Sequence, residues 1–462
     1  MDTASAAYRG LSLWHETAGD SWAPRSSLPG DVEADVAIVG AGYTGLWTAY
    51  WLTEQIPSLN VVLVDSEVAG FGASGRNGGW CSAIFPASLR RIAKDSGPAA
   101  AVRMQQAMNE TVTLIGKTAA REGIDCDFKL GGYLSVARNQ AQLRRGGAEV
   151  KEWHSWGFDD DQIRLLTKAE VAERAHIHGA LGGTFTPHCA ALHPAKLVRG
   201  LARVVESRGV RIFEQTAATG IKPRTVSTTR GTVQATFVVR ATEGYTPRLP
   251  GHHRDLVPMY SLMVATEPLP GSAWDAIGLA GRPTFSDKRH LRIYGQRTAD
   301  GRLAFGGRGA PYHFGSRIDP SFDRDRRVHA MLVSILRDLF PVLATARFTH
   351  AWGGNLGIPR DWYPSVVLDP ATGVASAGGY VGDGVATAAL AGRTLADLIG
   401  GHQSDLTTLP WVGRTSRRWE PEPLRWIGVN AVTALFAGAD LSERTLGRPS
   451  RAAATFWRVL GH

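Results

Sequence analysis

Val36-Ala37-Ile38-Val39-Gly40-Ala41-Gly42-Tyr43-Thr44-Gly45 decides the fold class of this chain. Four apolar residues run into a glycine, and a helix-period segment follows from Gly45 to Ile56, stopped by Pro57. Val61 to Val64 is a second short apolar run, so strand, helix and strand form a βαβ unit. In that setting the spacing of Gly40, Gly42 and Gly45 has a physical meaning. The first glycine permits a tight turn, the second lets a pyrophosphate approach the backbone, and the third lets helix pack on strand. The helix start at Tyr43 and Thr44 offers unpaired N–H groups and partial positive charge to phosphates. Asp65, followed by Ser66, ends the second strand twenty residues beyond Gly45. An acid there binds ribose hydroxyls and repels a 2′-phosphate, so a bound dinucleotide is expected.

Two further glycine-rich stretches point to a ligand longer than one cradle. Ala69 to Trp80 is too small-residued and polar for a core element. Within it Gly72, Ala73, Ser74, Arg76, Asn77, Gly78, Gly79 and Trp80 are expected at the phosphates or ring of the ligand. Gly378 to Val385 again joins a short strand to a helix. Gly379, Tyr380, Gly382, Asp383, Gly384 and Val385 are expected there, with the helix N-terminus facing a ring edge where negative charge develops on reduction.

The chain has 462 residues, enough for two or three domains, and 44% hydrophobic with 20% charged residues is the balance of a globular α/β protein. A net charge of +9 comes without a dense basic run. Arg324, Arg326 and Arg327 are broken by aspartates, so no nucleic-acid partner is expected. Cys81, Cys126 and Cys189 lack metal or disulfide spacing, which fits a reducing compartment. The N-terminus has no basic and hydrophobic leader, and the best apolar stretch, Trp426 to Ala437, is too short to span a bilayer. A cytoplasmic location and no membrane partner are therefore expected. His176, His178, His188 and His193 lack an accompanying carboxylate or cysteine pattern and read as surface and cap residues; no metal is expected.

Helices are expected at Ala99 to Glu122, Thr167 to Ala175 and from Pro194 to Ser207, and strands at Val210 to Phe213 and Ala235 to Ala241. Between Tyr260 and Gly307 the pattern alternates and is broken by turns such as Asp300-Gly301, which reads as an antiparallel sheet. A strand from Gly373 and a helix from Val385 to Ile399 follow. Regular structure is expected to start at Ala34, after an arm pinned by Trp14 and Trp22. Trp411, Trp419, Trp426 and Trp457 make the tail too aromatic to be simply disordered.

These motifs resemble the FAD-dependent oxidoreductases related to D-amino-acid oxidase, glycine oxidase and sarcosine oxidase, most closely the γ-glutamylputrescine-oxidase-like branch. The resemblance rests on the GAGYTG turn, the loop Gly72 to Gly79, Leu192-His193-Pro194-Ala195-Lys196-Leu197, the hairpin Asp300 to Gly307, Trp352-Gly353-Gly354 and the turn Gly379 to Gly382. It implies an α/β fold with a discontinuous Rossmann-like FAD-binding domain and an antiparallel-sheet α+β substrate domain. The expected bounds are 31–98, 166–250 and 346–405 for the first domain, 99–165 and 251–345 for the second, and 406–462 as an extension. It also implies that Thr216 and Ala217 sit by the adenine and that Ala241, Thr242 and Gly244 mark a flavin-domain strand end. Relatives that bind flavin covalently use a histidine or cysteine in places that here hold neither, so FAD is expected to be non-covalent.

In such enzymes the flavin does the chemistry and the protein positions a C–H bond against N5. The resemblance therefore implies oxidation of a small-molecule amine or amino acid, with O2 as acceptor and H2O2 as product. The pocket is expected to be shaped by Tyr260, His290, Arg292, Tyr294 and Trp352, with Arg292 clamping a substrate carboxylate or phosphonate, although Arg289, Arg297, Arg302 and Arg308 compete for that role. Two alternatives stay open: a dehydrogenase handing electrons to a partner, and a nicotinamide-dependent monooxygenase suggested by Gly382-Asp383-Gly384.

Overall fold

In the computed structural model, which describes residues 3–460, the βαβ unit forms as its sequence dictates. Strand β1 (Val32–Val39) leads through the glycine turn into helix α1 (Tyr43–Gln55) and back along β2 (Val61–Val64). Because β1 is covered on both faces, its second half is continuously buried. β1 pairs in parallel with β2 on one side and with β3 (Thr232–Arg240) on the other. β3 in turn pairs in parallel with β4 (Val374–Gly378). Val39 lies level with both Val64 and Arg240, so Gly40, Asp65 and Ala241 leave the sheet side by side at one edge. The edge strands are Arg211–Phe213 beside β2 and Ser365–Asp369 beside β4.

Helix α2 (Gly384–Ile399) crosses α1 so closely that a Cβ on Gly392 would collide with Trp47 and Thr48. The main core lies between this sheet and the helices on its face, including the long helix Pro98–Arg121.

A second eight-stranded sheet runs in the order 348–358, 257–266, 303–307, 293–297, 284–287, 133–137, 182–186, 164–167. It was expected to be antiparallel, and all its pairings are except Thr284–Asp287 against Tyr133–Ala137, which is parallel. Its far face packs on the helices Gly271–Ile277 and Arg326–Leu339.

Two strands sit in the second sheet although the expected bounds gave them to the first domain: Gly182–Thr186 and Phe348–Ile358. Short apolar runs carry no mark of their partner, and only pairing distributes them. A hairpin at Ala218–Lys222 and Thr225–Thr228 extends the first sheet where no strand was expected.

Order also begins earlier than Ala34. The arm contains helices Thr3–Arg9 and Leu13–Thr17, and Trp14 and Trp22 are buried as expected. Arg25 fixes the arm to Glu214 at 2.7 Å and Glu206 at 2.6 Å. The tail forms helix α3 (Leu424–Leu446) and a second helix, Arg451–Leu460. The side chain of Trp457 lies outside the described residues.

Candidate functional site

A cavity of about 1260 Å³ opens where the strand ends of the first sheet meet the near face of the second. Gly40, Gly42, Tyr43 and Thr44 line one end of it. Gly40 holds φ +112°, and a Cβ there would strike the Ala241 carbonyl, so the turn between β1 and α1 needs glycine. The Ala41 N–H donates to Asp65 Oδ2 at 2.6 Å, and the Glu67 N–H donates to Oδ1 at 2.9 Å. Asp65 thus fixes the turn while facing the cavity together with Ser66, and burial raises its pKa to about 6.

The second glycine-rich stretch turns back over the first. Ala73–Arg76 makes one helical turn, from which the Ser74 hydroxyl accepts from the Tyr43 N–H at 2.9 Å. Asn77 braces its own loop by donating to the Ala73 and Ser74 carbonyls and accepting from the Gly79 N–H at 2.7 Å. Gly72, Ala73, Ser74, Arg76, Asn77, Gly78 and Trp80 all reach the cavity. Arg76 is nonetheless committed elsewhere, with Nη1 2.6 Å from Asp323 Oδ2 and Nη2 donating to the Tyr245 hydroxyl at 3.2 Å.

The third stretch closes the ring: Tyr380 Oη lies 2.9 Å from Thr44 Oγ1, and Tyr380, Gly382, Asp383, Gly384 and Val385 line the same space. Ala217, Ala241, Thr242 and Gly244 line it as well.

The second sheet supplies the other wall. Tyr294 bonds the Ser261 hydroxyl at 2.7 Å and sets its ring 5.9 Å from Trp80, which in turn lies 5.1 Å from Tyr133. Tyr260 accepts from the Asp319 N–H at 3.3 Å.

Among the competing arginines, Arg289 pairs with Asp287 and Arg302 with Asp300, while Arg297 stacks 4.1 Å over Trp274. The Arg292 side chain faces the cavity with no hydrogen bond or ion pair among the described residues. Arg308 lines the cavity too, but it donates to the Val381 carbonyl and stacks 5.7 Å from Trp362. Burial, then the nearby Arg292 charge, lowers the Arg308 pKa. Burial likewise raises the carboxyl of Asp383 against the opposing pull of both arginines.

Five expected residues stand behind the cavity wall. Gly45 packs its helix on β1, where a Cβ would meet the Gly40 carbonyl. Gly79 gives way to Gln296, whose Nε2 donates to the Gly78 carbonyl at 2.8 Å, and Gly379 sits against Pro359. Thr216 turns inward and accepts from the Leu28 N–H at 3.0 Å, so it serves the arm rather than the cavity. Trp352 is buried, 6.2 Å from Trp14, and donates to the Arg76 carbonyl at 2.9 Å. It buttresses the second loop and forms no wall. His290 does line the cavity, but its Nε2 is bound 3.0 Å from Glu443, so it anchors the tail and is not free for substrate.

Two features escaped sequence reasoning. Glu243, inside the very Thr242-Glu243-Gly244 turn that was expected to matter, is a buried cavity-lining carboxyl whose Oε1 accepts from the Tyr380 N–H at 3.0 Å. Burial raises its pKa to about 7. The signal was there, since an acid between a buried strand and a glycine seldom lacks a partner. The tail also contributes: Leu424, Val429, Val432 and Phe436 of α3 line the cavity. Nothing in the sequence ties them to it.

His290, Asp440 and Glu443 lie close enough to share an ion, but Arg145 Nη2 already sits 2.7 Å from Glu443 and 3.0 Å from His290, supplying the positive charge. Of the four histidines read as surface and cap residues, His193 caps its helix, accepting from the Lys196 N–H at 3.2 Å, and His176 and His178 are exposed. His188 faces the cavity instead, bonded to Gln162 at 2.7 Å.

A profile of the DAO family, described as FAD-dependent oxidoreductase, matches residues 35–398. A probable oxidoreductase OrdL from Rhizobium meliloti (strain 1021) is 32% identical over 83% of this chain and 86% of its own length. Gamma-glutamylputrescine oxidoreductase of Escherichia coli (strain K12) is 31% identical over 84% of this chain and 89% of its own. Among solved structures, glycine oxidase from Geobacillus kaustophilus superposes with a TM-score of 0.70 at 21% identity, covering 83% of this chain and all of its own.

Proposed function

The chain belongs to the DAO family of FAD-dependent oxidoreductases, and from that premise we propose that it oxidises an amine or amino acid, or an aminophosphonate analogue, whose anionic group is held by Arg292. The observation that carries this reading is Arg292 itself, a cavity-facing guanidinium without an ion-pair partner among the described residues. A planar fork of donors matches a carboxylate or phosphonate bidentately.

The cavity fits FAD on its own features. At Gly42 a Cβ would come 2.8 Å from Ser74 Oγ, so glycine keeps the approach to the α1 N-terminus open. Arg76 Nε, Trp80 Nε1, Glu243 Oε2 and Asn355 Oδ1 are buried without partners in residues that line it. Gly40, Gly42, Tyr43 and Thr44 would cradle the pyrophosphate, Asp65 the ribose hydroxyls, and the Gly382–Val385 turn the ring edge. Neither Gly75–Gly79 nor Gly379–Val385 offers a histidine or cysteine, which supports non-covalent attachment.

Bound FAD would supply the two-electron acceptor for the hydride leaving the carbon beside the amine nitrogen, with imine hydrolysis and, in the oxidase reading, reoxidation by O2 to H2O2 completing the cycle. The chain's own work is placement. Arg292 orients the anionic end, Arg308 stiffens the site beneath it, and Trp80, Tyr133 and Tyr294 exclude water from one side. No protein base is needed when the neutral amine binds.

The test is anaerobic reduction of the purified flavoprotein with a panel of amines, amino acids and aminophosphonates, followed by oxygen readmission. Bleaching by an anion-bearing amine with peroxide on reoxidation is expected. A spectrum unmoved by the whole panel, or one reduced only by NADH or NADPH, overturns the proposal. Acid precipitation should leave the flavin in the supernatant.

A further inference from the structure

We propose that the outward face of α3, with the arginines at its two ends, docks on an anionic lipid bilayer. The helix lies beyond residue 398, where the family match ends. Its 23 residues extend about 35 Å.

The inner face is fixed to the body. Val429, Val432 and Phe436 line the cavity, Asp440 accepts from the His290 N–H at 2.7 Å and the Leu291 N–H at 2.9 Å, and Glu443 holds Arg145. The helix is therefore a built element with a defined outer side.

That outer side is apolar. Trp426 is 42% exposed, Ile427 53%, Leu441 63% and Leu446 71%. They are four of the eleven large apolar side chains exposed among the described residues, gathered on one helix. Between them Ala431, Ala434, Ala437 and Gly438 are exposed too, and no charged residue occurs from Trp426 to Ala439. An apolar surface of this kind marks a contact with another apolar phase.

The flanking charges choose the occupant. Exposed Arg417 and Arg418 precede the helix, the latter 3.6 Å from Asp255, and exposed Arg444, Arg448 and Arg451 stand at its end and beyond. The nearby acids are already engaged: Glu420 by Arg360, Glu422 by Arg425, Asp440 by two backbone N–H groups, and Glu443 by Arg145. A second copy packed on this face, parallel or antiparallel, would set arginine against arginine. An anionic headgroup layer would instead meet positive charge at both ends while the apolar centre enters the acyl boundary. No helix among the described residues is long and apolar enough to cross a membrane, so the contact would lie in the plane of the interface. The sequence-based expectation of no membrane partner rested on the lack of a leader and of a spanning stretch, neither of which addresses such a contact.

The test uses the flavin-loaded full chain sedimented with vesicles of phosphatidylcholine, alone or mixed with phosphatidylglycerol. Binding should favour the anionic vesicles about tenfold and weaken with salt. Ile427→Asp with Leu441→Asp, and separately Arg448→Glu with Arg451→Glu, should each lower it about tenfold while the flavin spectrum is retained. None of these four side chains lines the cavity. Failure of the wild type to sediment with anionic vesicles, binding unchanged by either pair, or a dimer in light scattering that the Ile427→Asp, Leu441→Asp pair dissociates would overturn the proposal.

Discussion

The Glu243 carboxylate accepts the Tyr380 N–H at 3.0 Å and so ties the end of β3 to the turn between β4 and α2. Two segments more than 130 residues apart in sequence meet at one buried acid inside the cavity wall. Glu243 itself adopts φ +39°, a left-handed conformation unusual for a side-chain-bearing residue, which indicates that this bond and its neighbours hold the backbone there.

Glu243 also sets a pH dependence. Its pKa stands near 7 in the folded protein, above the ordinary 4.5 that it regains on unfolding, so the folded state binds the extra proton between those values. Stability therefore falls as pH rises from about 4.5 to 7 and is flat above. Glu243→Gln removes that slope, worth about 3 kcal/mol, in the difference between mutant and wild type. Thermal unfolding followed across that pH range checks it; parallel curves for the two proteins would show that the carboxyl does not titrate there.

Gly42→Ala should spare the fold and lose the cofactor. Gly42 has φ −86°, open to alanine, but the new Cβ would sit 2.8 Å from Ser74 Oγ where the phosphates approach. FAD retention measured by ultrafiltration should drop about 10- to 100-fold, with circular dichroism unchanged.

Arg292→Ala should raise KM for an anion-bearing amine about 10- to 100-fold with a smaller effect on kcat, since it removes binding and leaves the hydride acceptor in place. Arg292→Lys should recover only part of that loss, because a point charge replaces a fork. Steady-state kinetics on both variants, read against an amine without the anion, decides the role. Equal losses on both substrates would place Arg292 outside the substrate site.

Trp352→Phe separates buttress from wall. Removing the indole N–H leaves the Arg76 carbonyl without this donor, at a cost of about 1 kcal/mol in stability. KM should stay within about twofold, because Trp352 does not face the cavity. A marked change in KM with unchanged unfolding temperature would contradict the geometry.

Glu443→Gln should loosen the tail. Burial raises the Glu443 pKa, but the Ser450 N–H, Arg145 and His290 outweigh it and hold it below 4.5. Its contribution is therefore present above about pH 4.5 and is lost as pH falls through the lowered folded value. Limited proteolysis of holoenzyme at neutral pH should cleave within 424–460 several-fold faster in the variant.

Sequence alone carried everything whose physics is local. The β1 turn, the second loop and the β4–α2 turn are each read from residues within about a dozen positions, because steric demands on glycine and the charge at a helix start act over that range. The strand, turn, helix and strand from Val36 to Val64 form as expected, whereas the bond by which Asp65, expected as a ribose ligand, fixes the turn was not foreseen. Strand partnership was not legible: Phe348–Ile358 looks like any apolar run until it pairs with Val257–Thr266.

The substrate end of the cavity belonged to tertiary structure. Five arginines between positions 289 and 308 are equivalent in sequence, and only folding gives Asp287 to Arg289, Asp300 to Arg302, Trp274 to Arg297 and the Val381 carbonyl to Arg308, leaving the Arg292 side chain unpaired before the cavity. Whether a charge is paired depends on what the rest of the chain brings within a few ångströms. For Glu443 and His290 the partners lie 153 residues apart. Backbone sterics propagate from neighbour to neighbour along the chain, but pairing and exposure are properties of closed space, and those the fold alone decided.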